Sequence, residues 1–306
     1  MIRFCLSRFF QGIIVIYAVI IITFLLQKLS PTSPFNSERA VPAEIRAKQE
    51  AHYGYDKPWP VQLWRHLRDF TTFNPPDSIK LIGRGVGEII RQSFPVSLTI
   101  AVPALLIALA LGIPLGAMAA LKPGTLEDRA ATTAATLGVC TPSMVLGPLL
   151  ALFLGLKLRW FNVAGWEDSS DWVLPALTLG FIYSGYIARL TRGGLRETLA
   201  QDFVRTARAK GASEPAVVIR HAMKLACLPV LNYLGPTAAG LFTGSFIVET
   251  IFQIPGLGQH FVASALHGDD TLASWITAFY AALIVAFNFL VDVIQAALNP
   301  RIKLDS

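Results

Sequence analysis

The stretch DFVRTARAKGASEPAVVIRHAMKLACLPVL, from Asp202 to Leu231, places a charged helix-turn-helix between segments apolar enough to live in lipid. Gly211 can take the left-handed conformation that ends a helix. Ser213 can then accept a hydrogen bond from the free N–H groups of a new helix, which carries Pro215 in its first turn. Two short helices therefore meet at a polar elbow, and something outside the membrane has to grip it.

Other chemistry is conspicuous by its absence. A phosphate cradle of the form G-x-x-x-x-G-K-[ST] needs a Gly-Lys pair, and this sequence contains none, so any nucleotide site sits on another chain. The histidines are His52, His66, His221, His260 and His267. They form no H-E-x-x-H and no helical pair at zinc-binding spacing, which argues against a membrane-embedded enzyme. Cys5, Cys140 and Cys227 are scattered, with no C-x-x-C, so neither a metal site nor a disulfide framework is expected.

Two carboxylates stand out in apolar surroundings. Asp292 lies in the last apolar run, where lipid penalises a charge by roughly 2.5 to 3.5 kcal/mol at a helix centre, and pairing with Arg301 or a partner subunit would relieve it. Glu249 follows Pro229 by about 20 residues, or ~30 Å of helix, which puts it near the outer interface as a solvated group or a gate contact.

The elements that must position these groups follow from composition. With 53% hydrophobic residues and a mean hydropathy of +0.52, the chain is too apolar for an ordinary soluble domain. Uncharged runs lie between Arg8 and Lys28, Arg91 and Lys122, Arg129 and Lys157, Asp171 and Arg189, Lys224 and Glu249, and Asp270 and Asp292. Each is close to or above the ~20 residues that cross a bilayer core, the shortest needing a snorkelling Arg189. An all-α membrane protein with six transmembrane helices is expected.

Charge orients it. With the N-terminus inside, Arg3, Arg8, Lys122, Arg129, the basic residues from Arg189 to Lys224, Arg301 and Lys303 are all cytoplasmic, whereas the short outer loops carry only Lys157 and Arg159. Both termini are then cytoplasmic. The net charge of +6 follows from this sidedness, so an anionic lipid surface explains it and nucleic acid is not implied. Arg3 and Arg8 precede an apolar run too long for a signal peptide, with no A-x-A site after it, so residues 1–29 read as an uncleaved first span.

Residues 30–93 form an external cap between spans 1 and 2. A short helix around Ala43 to His52 can end at Gly54, and Tyr53, Tyr55, Trp59 and Trp64 suit a fold near the headgroups. Residues 94–306 hold five spans and the cytoplasmic loop 191–228. Gly112, Pro114 and Gly116 interrupt the helix expected from Ser97 to Leu121, and such small residues permit close packing or a hinge. The third span carries Gly138, Thr141, Pro142, Ser143, Gly147 and Pro148.

The spacing from Gly211 to Pro229, with Leu228 before the proline, resembles the cytoplasmic signature loop of permease subunits in ABC importers, and RTARAKG resembles its dipeptide/oligopeptide branch. YGYDKPWPVQLW is similar to that branch's LGLDKP segment, and GIPLGAMAA also resembles it. Departures are RDFTTFNPP, where a G-D-[LF]-G stretch is usual, Arg205-Thr206-Ala207 for Glu-Ala-Ala, and Ala226 for Ile.

The resemblance covers nearly the whole chain. It implies a coupling helix docked in a groove on an ATPase subunit, formed by Arg205, Thr206, Ala207, Arg208, Lys210, Gly211, Ala212, Ser213, Glu214 and Pro215. It also implies a bacterial inner membrane location, a second permease subunit, two ATPase subunits that carry ATP and Mg, and an external solute-binding protein. The alternative is an ion-coupled secondary transporter, which calls for midplane ionisable groups and an internal repeat; neither is visible.

Overall fold

The computed structural model describes residues 2–30, 34–35 and 42–298; Arg301 and Lys303 lie outside them. The first span, α1 (Ile2–Leu29), runs beside the last, and α2 (Ala43–Tyr53) and α3 (Trp59–Thr71) form the cap. Next come α4 (Val86–Leu121), α5 (Leu126–Cys140) and α6 (Ser143–Leu150), the last extended by wider turns over Ala151–Lys157. Beyond them, α7 (Val173–Leu199) leads to the elbow helices α8 (Asp202–Ala209) and α9 (Glu214–Ala216), then wider turns over Val217–Ala222 and α10 (Met223–Ala226). The chain closes with α11 (Leu228–Phe242), α12 (Phe246–Ile251), α13 (Leu257–His267) and α14 (Asp270–Leu298).

The centre of the molecule is the pair α4 and α7. Lipid tails are as apolar as leucine, so helices in a bilayer gain from close van der Waals contact rather than from leaving water. Glycine permits that contact. A Cβ on Gly112 would meet Ile187 and the Ser184 carbonyl, one on Gly116 would meet the Ala188 carbonyl and Thr191, and one on Gly180 would meet Ile107. These positions are packing sites, and α4 is a continuous helix through Pro95, Pro103 and Pro114 rather than interrupted near Gly112. At ~1.5 Å per residue it is about 54 Å long, more than a ~30 Å hydrocarbon core requires.

Among the described residues, four helices are long and apolar enough to cross a membrane singly: α1, α4, α7 and α14. The other two crossings are bent pairs. Leu126–Cys140 and Ser143–Lys157 meet at 105°, and Glu214–Ala226 and Leu228–Ile251 meet at 50°, so six spans are reached only if each pair counts as one. Proline explains the sharper bend. The residue before Pro142, Thr141, is pushed into an extended conformation, φ −85° and ψ 115°, which ends α5. The fourth span also departs from expectation, because α7 continues unbroken past Arg189 to Leu199 and shortens the loop.

At the cap, Gly54 ends α2 with φ 75°, and Tyr53 and Tyr55 pack on Phe35, while Trp59 and Trp64 stay exposed. Phe70 of α3 stacks on Trp275 of α14 at 4.1 Å. The buried Asp269 accepts hydrogen bonds from Ser78 Oγ, the Ile79, Lys80 and Leu272 N–H groups, and Thr271, tying the cap to the start of α14. At the other end of α14, Asp292 pairs with Arg8 of α1 at 3.3 Å, which supplies the counter-charge expected from Arg301.

Candidate functional site

The elbow is built from local geometry. Asp202 to Ala209 forms one amphipathic turn pair, with Val204 fully buried and Arg205 and Arg208 turned outward. Lys210 follows as the cap residue, and Gly211 takes φ 81°. That left-handed step lets the Gly211 N–H reach the Arg208 carbonyl at 2.9 Å and the Ala212 N–H reach Ala207 at 3.2 Å. Ser213 then sits extended at the head of α9, its carbonyl accepting from the Val217 N–H at 2.9 Å, with Pro215 in the first turn. Its hydroxyl makes no capping hydrogen bond, contrary to expectation.

The charge at the head of α9 is handled by a side-chain clamp. Arg208 Nε and Nη2 donate to the two Glu214 carboxylate oxygens at 2.8 and 3.1 Å, a fork across the turn. The Arg208 hydrogen bonds hold the Glu214 carboxyl below the usual carboxylate range. Thr206 Oγ1 donates back to the Asp202 carbonyl, and Arg205 stands 3.7 Å from Asp202. The structure therefore brings Arg205 to Pro215 together on one exposed elbow, with Ala207 and Ala212 half-buried beneath it.

The elbow is anchored to the long helices. Val218, Ala222 and Ala226 are buried with Ala120 at the end of α4 and Leu195 in α7. Gly194 of α7 lies so near Ala226 that a Cβ would strike its carbonyl.

Glu249 is neither solvated nor on the surface. It is 1% exposed, because the helix breaks at Gly244 (φ 86°) and α12 restarts inside the bundle. Ser97 Oγ of α4 donates to Oε1 at 2.8 Å and the Gln259 N–H donates to Oε2 at 3.0 Å. Gly244, Gly256 and Gly258 crowd it too closely for any side chain of their own. This knot fastens α4, α12 and α13 to each other.

Comparison with known proteins follows the same outline. The family described as binding-protein-dependent transport system inner membrane component matches residues 112–304. The oligopeptide transport system permease protein OppB of Salmonella typhimurium is 38% identical over 99% of this chain and 100% of its own length. The dipeptide transport system permease protein DppB of Bacillus subtilis is 37% identical over 99% of each.

The chain belongs to this family. It is a multi-pass inner membrane permease component that works with a binding protein and an ATPase. A chain of the inward-facing MetNI methionine ABC transporter superposes with a TM-score of 0.58 at 17% identity, covering 69% of this permease and 96% of the other chain, a likeness of fold alone. The family match sets aside the ion-coupled secondary transporter.

Two devices of the permease escaped sequence reasoning. Asp128, 7% exposed in its side chain, receives Arg192 Nε and Nη2 at 2.7 and 2.9 Å, fixing the start of α5 to α7. The Glu249 knot is the second. A lone acid beside P-G-L-G was the only signal for the knot, and nothing in the sequence joins it to Ser97.

Proposed function

We propose that this chain is one half of the translocation pathway of an ATP-driven importer for peptides or similar small solutes. A second permease subunit completes the pathway, two ATPase subunits supply the force, and an external solute-binding protein delivers the solute. ATP and Mg are held by the ATPase subunits. The termini and the elbow face the cytoplasm, and the cap faces outward.

The observation that carries this reading is the match to oligopeptide and dipeptide permeases over nearly the full length of both chains. The ATPase contact is Arg205 to Arg208 with Lys210 to Pro215, supported by an exposed cationic elbow whose underside is fixed to α4 and α7. Ile219, 70% exposed one helical turn beyond Pro215, adds an apolar contact.

The test is reconstitution. The purified chain alone is expected to show no ATP hydrolysis, whereas the complex with ATPase subunits, second permease and binding protein takes up short peptides with stimulated, vanadate-sensitive hydrolysis. Uptake driven by a proton or sodium gradient without ATP would overturn it. For orientation, in a cysteine-free background Ser213→Cys should react with an impermeant reagent only after permeabilisation, and Lys57→Cys in intact cells; the reverse pattern inverts the topology.

A further inference from the structure

Between the cap and the first turn of α14 lies a cavity of about 420 Å³, within the ~300–1,000 Å³ range of small-molecule sites. Its walls carry both signs of charge, and most of those charges are already engaged. Arg68 pairs with Asp69 at 3.1 Å. Asp270 accepts from Tyr55 Oη at 2.9 Å, and Lys28 Nζ sits 4.0 Å above the Tyr55 ring.

Two lining groups are left over. Among the described residues, neither Arg65 nor Asp77 has an ion-pair partner, although both line the cavity. Arg65 is placed there by Gly54. The left-handed glycine that ends α2 has no Cβ, and a Cβ would run into Arg65 Nη1, so the guanidinium lies across bare backbone. His66 also contributes to the wall, but its unpartnered Nε2 is buried between Phe24 and Phe70 and out of reach of the cavity.

A guanidinium and a carboxylate, neither with an ion-pair partner and both exposed in one small cavity, suit a molecule with an anionic end and a cationic end. We propose that this cavity is a binding site for short zwitterionic peptides, with Arg65 receiving the terminal carboxylate and Asp77 the terminal ammonium. The site is on the chain itself rather than on the binding protein. Its outward placement and its relevance to substrate rest on the proposed function above.

Calorimetry on the full chain in lipid nanodiscs tests it, with dialanine, N-acetyl-dialanine and dialanine amide as probes. Dialanine should bind, and each blocked form should bind about tenfold more weakly or worse, the scale of a lost charge-assisted hydrogen bond. Arg65→Ala should erase the preference for the acid over the amide, Arg65→Lys should retain part of it, and Asp77→Asn should erase the preference for the free amine. Both side chains are exposed at the cavity wall, so the variants keep the fold.

Failure of the wild-type chain to bind dialanine, or unchanged preferences in Arg65→Ala and Asp77→Asn, overturns the proposal. Uptake by the reconstituted complex separates the two readings. ATP-driven dialanine uptake without binding to this chain removes the site and leaves the importer. Binding with the expected preferences, in a complex that imports no peptide, leaves the site and removes the peptide-importer reading.

Discussion

Gly211 adopts φ 81° with nothing within 4 Å of where a Cβ would stand, so a substitution there tests the backbone alone, free of any clash. An L-residue in the left-handed region costs roughly 1–2 kcal/mol, more when β-branched, and Asn is among the residues that tolerate it best. One to two kcal/mol is a factor of about 5–30 in the population of the native turn. The turn's two backbone bonds, Gly211 N–H to Arg208 and Ala212 N–H to Ala207, form only in that conformation, and the Arg208–Glu214 fork closes across it. Gly211→Val should therefore displace α9 and lower both peptide uptake and stimulated ATP hydrolysis in the full complex by about 5–30-fold. Membrane insertion should survive, because the spans satisfy their own backbone groups. Gly211→Asn should retain most of the activity. Uptake by Gly211→Val at the wild-type rate would refute the turn geometry or its role, and so would equal damage from Asn and Val.

Ser97→Ala removes both the donor to Glu249 and the acceptor of the Leu257 N–H at 2.8 Å, and should cost about 1–3 kcal/mol, read as a lower midpoint in thermal unfolding of the detergent-solubilised chain. Asp128→Asn leaves the Arg192 fork half made and should destabilise by about 2 kcal/mol, while the charge-swapped pair Asp128→Arg with Arg192→Asp recovers part of it; a neutral single variant would show the pair to be dispensable. His66, packed between Phe24 and Phe70, is held down to about 4 mainly by burial, with Asp69 opposing and Lys28 assisting. As pH falls below the unfolded value of about 6.5, the unfolded cap gains a proton that the folded cap refuses, so amide-exchange protection of α2 and α3 should decline towards pH 4 and level off below it. His66→Leu should flatten that dependence, and an unchanged slope would place its origin elsewhere.

What could be read from the sequence was what the chain decides locally. Gly54 and Gly211 both end helices in the left-handed conformation, and Pro215 opens the next one, because each depends on neighbours within a few residues. The Ser213 cap did not form: its hydroxyl makes no hydrogen bond to the head of α9, where the Glu214 carboxylate is instead held by Arg208. Bends were harder. Pro142 was visible, yet a proline within an apolar run is compatible with a kink or with a straight helix, as Pro95, Pro103 and Pro114 in α4 demonstrate. Least legible were contacts between distant segments. Glu249 meets Ser97, Asp128 meets Arg192, and Asp292 meets Arg8, pairings set by how helices pack and not by spacing.

Those distant contacts determine how force applied at the elbow would spread. Val218 and Ala222 lie against Ala120 and Leu195, and the glycines at 112, 116 and 180 bring α4 and α7 into backbone contact along their length. A close-packed interface of this kind cannot slide by fractions of an ångström without clashes, so α4 and α7 move as one body. At the far end, the Ser97–Glu249 bond joins that body to α12 and α13. Of the two bent joints, the one at Thr141–Pro142 has backbone already off the helix, whereas the one near Cys227 keeps helical backbone and lies against α7 where Gly194 approaches Ala226. If the ATPase subunits bear on Arg208 and Glu214 as proposed, the motion would be carried through α4 and α7 to the Glu249 knot and taken up at the Thr141–Pro142 bend.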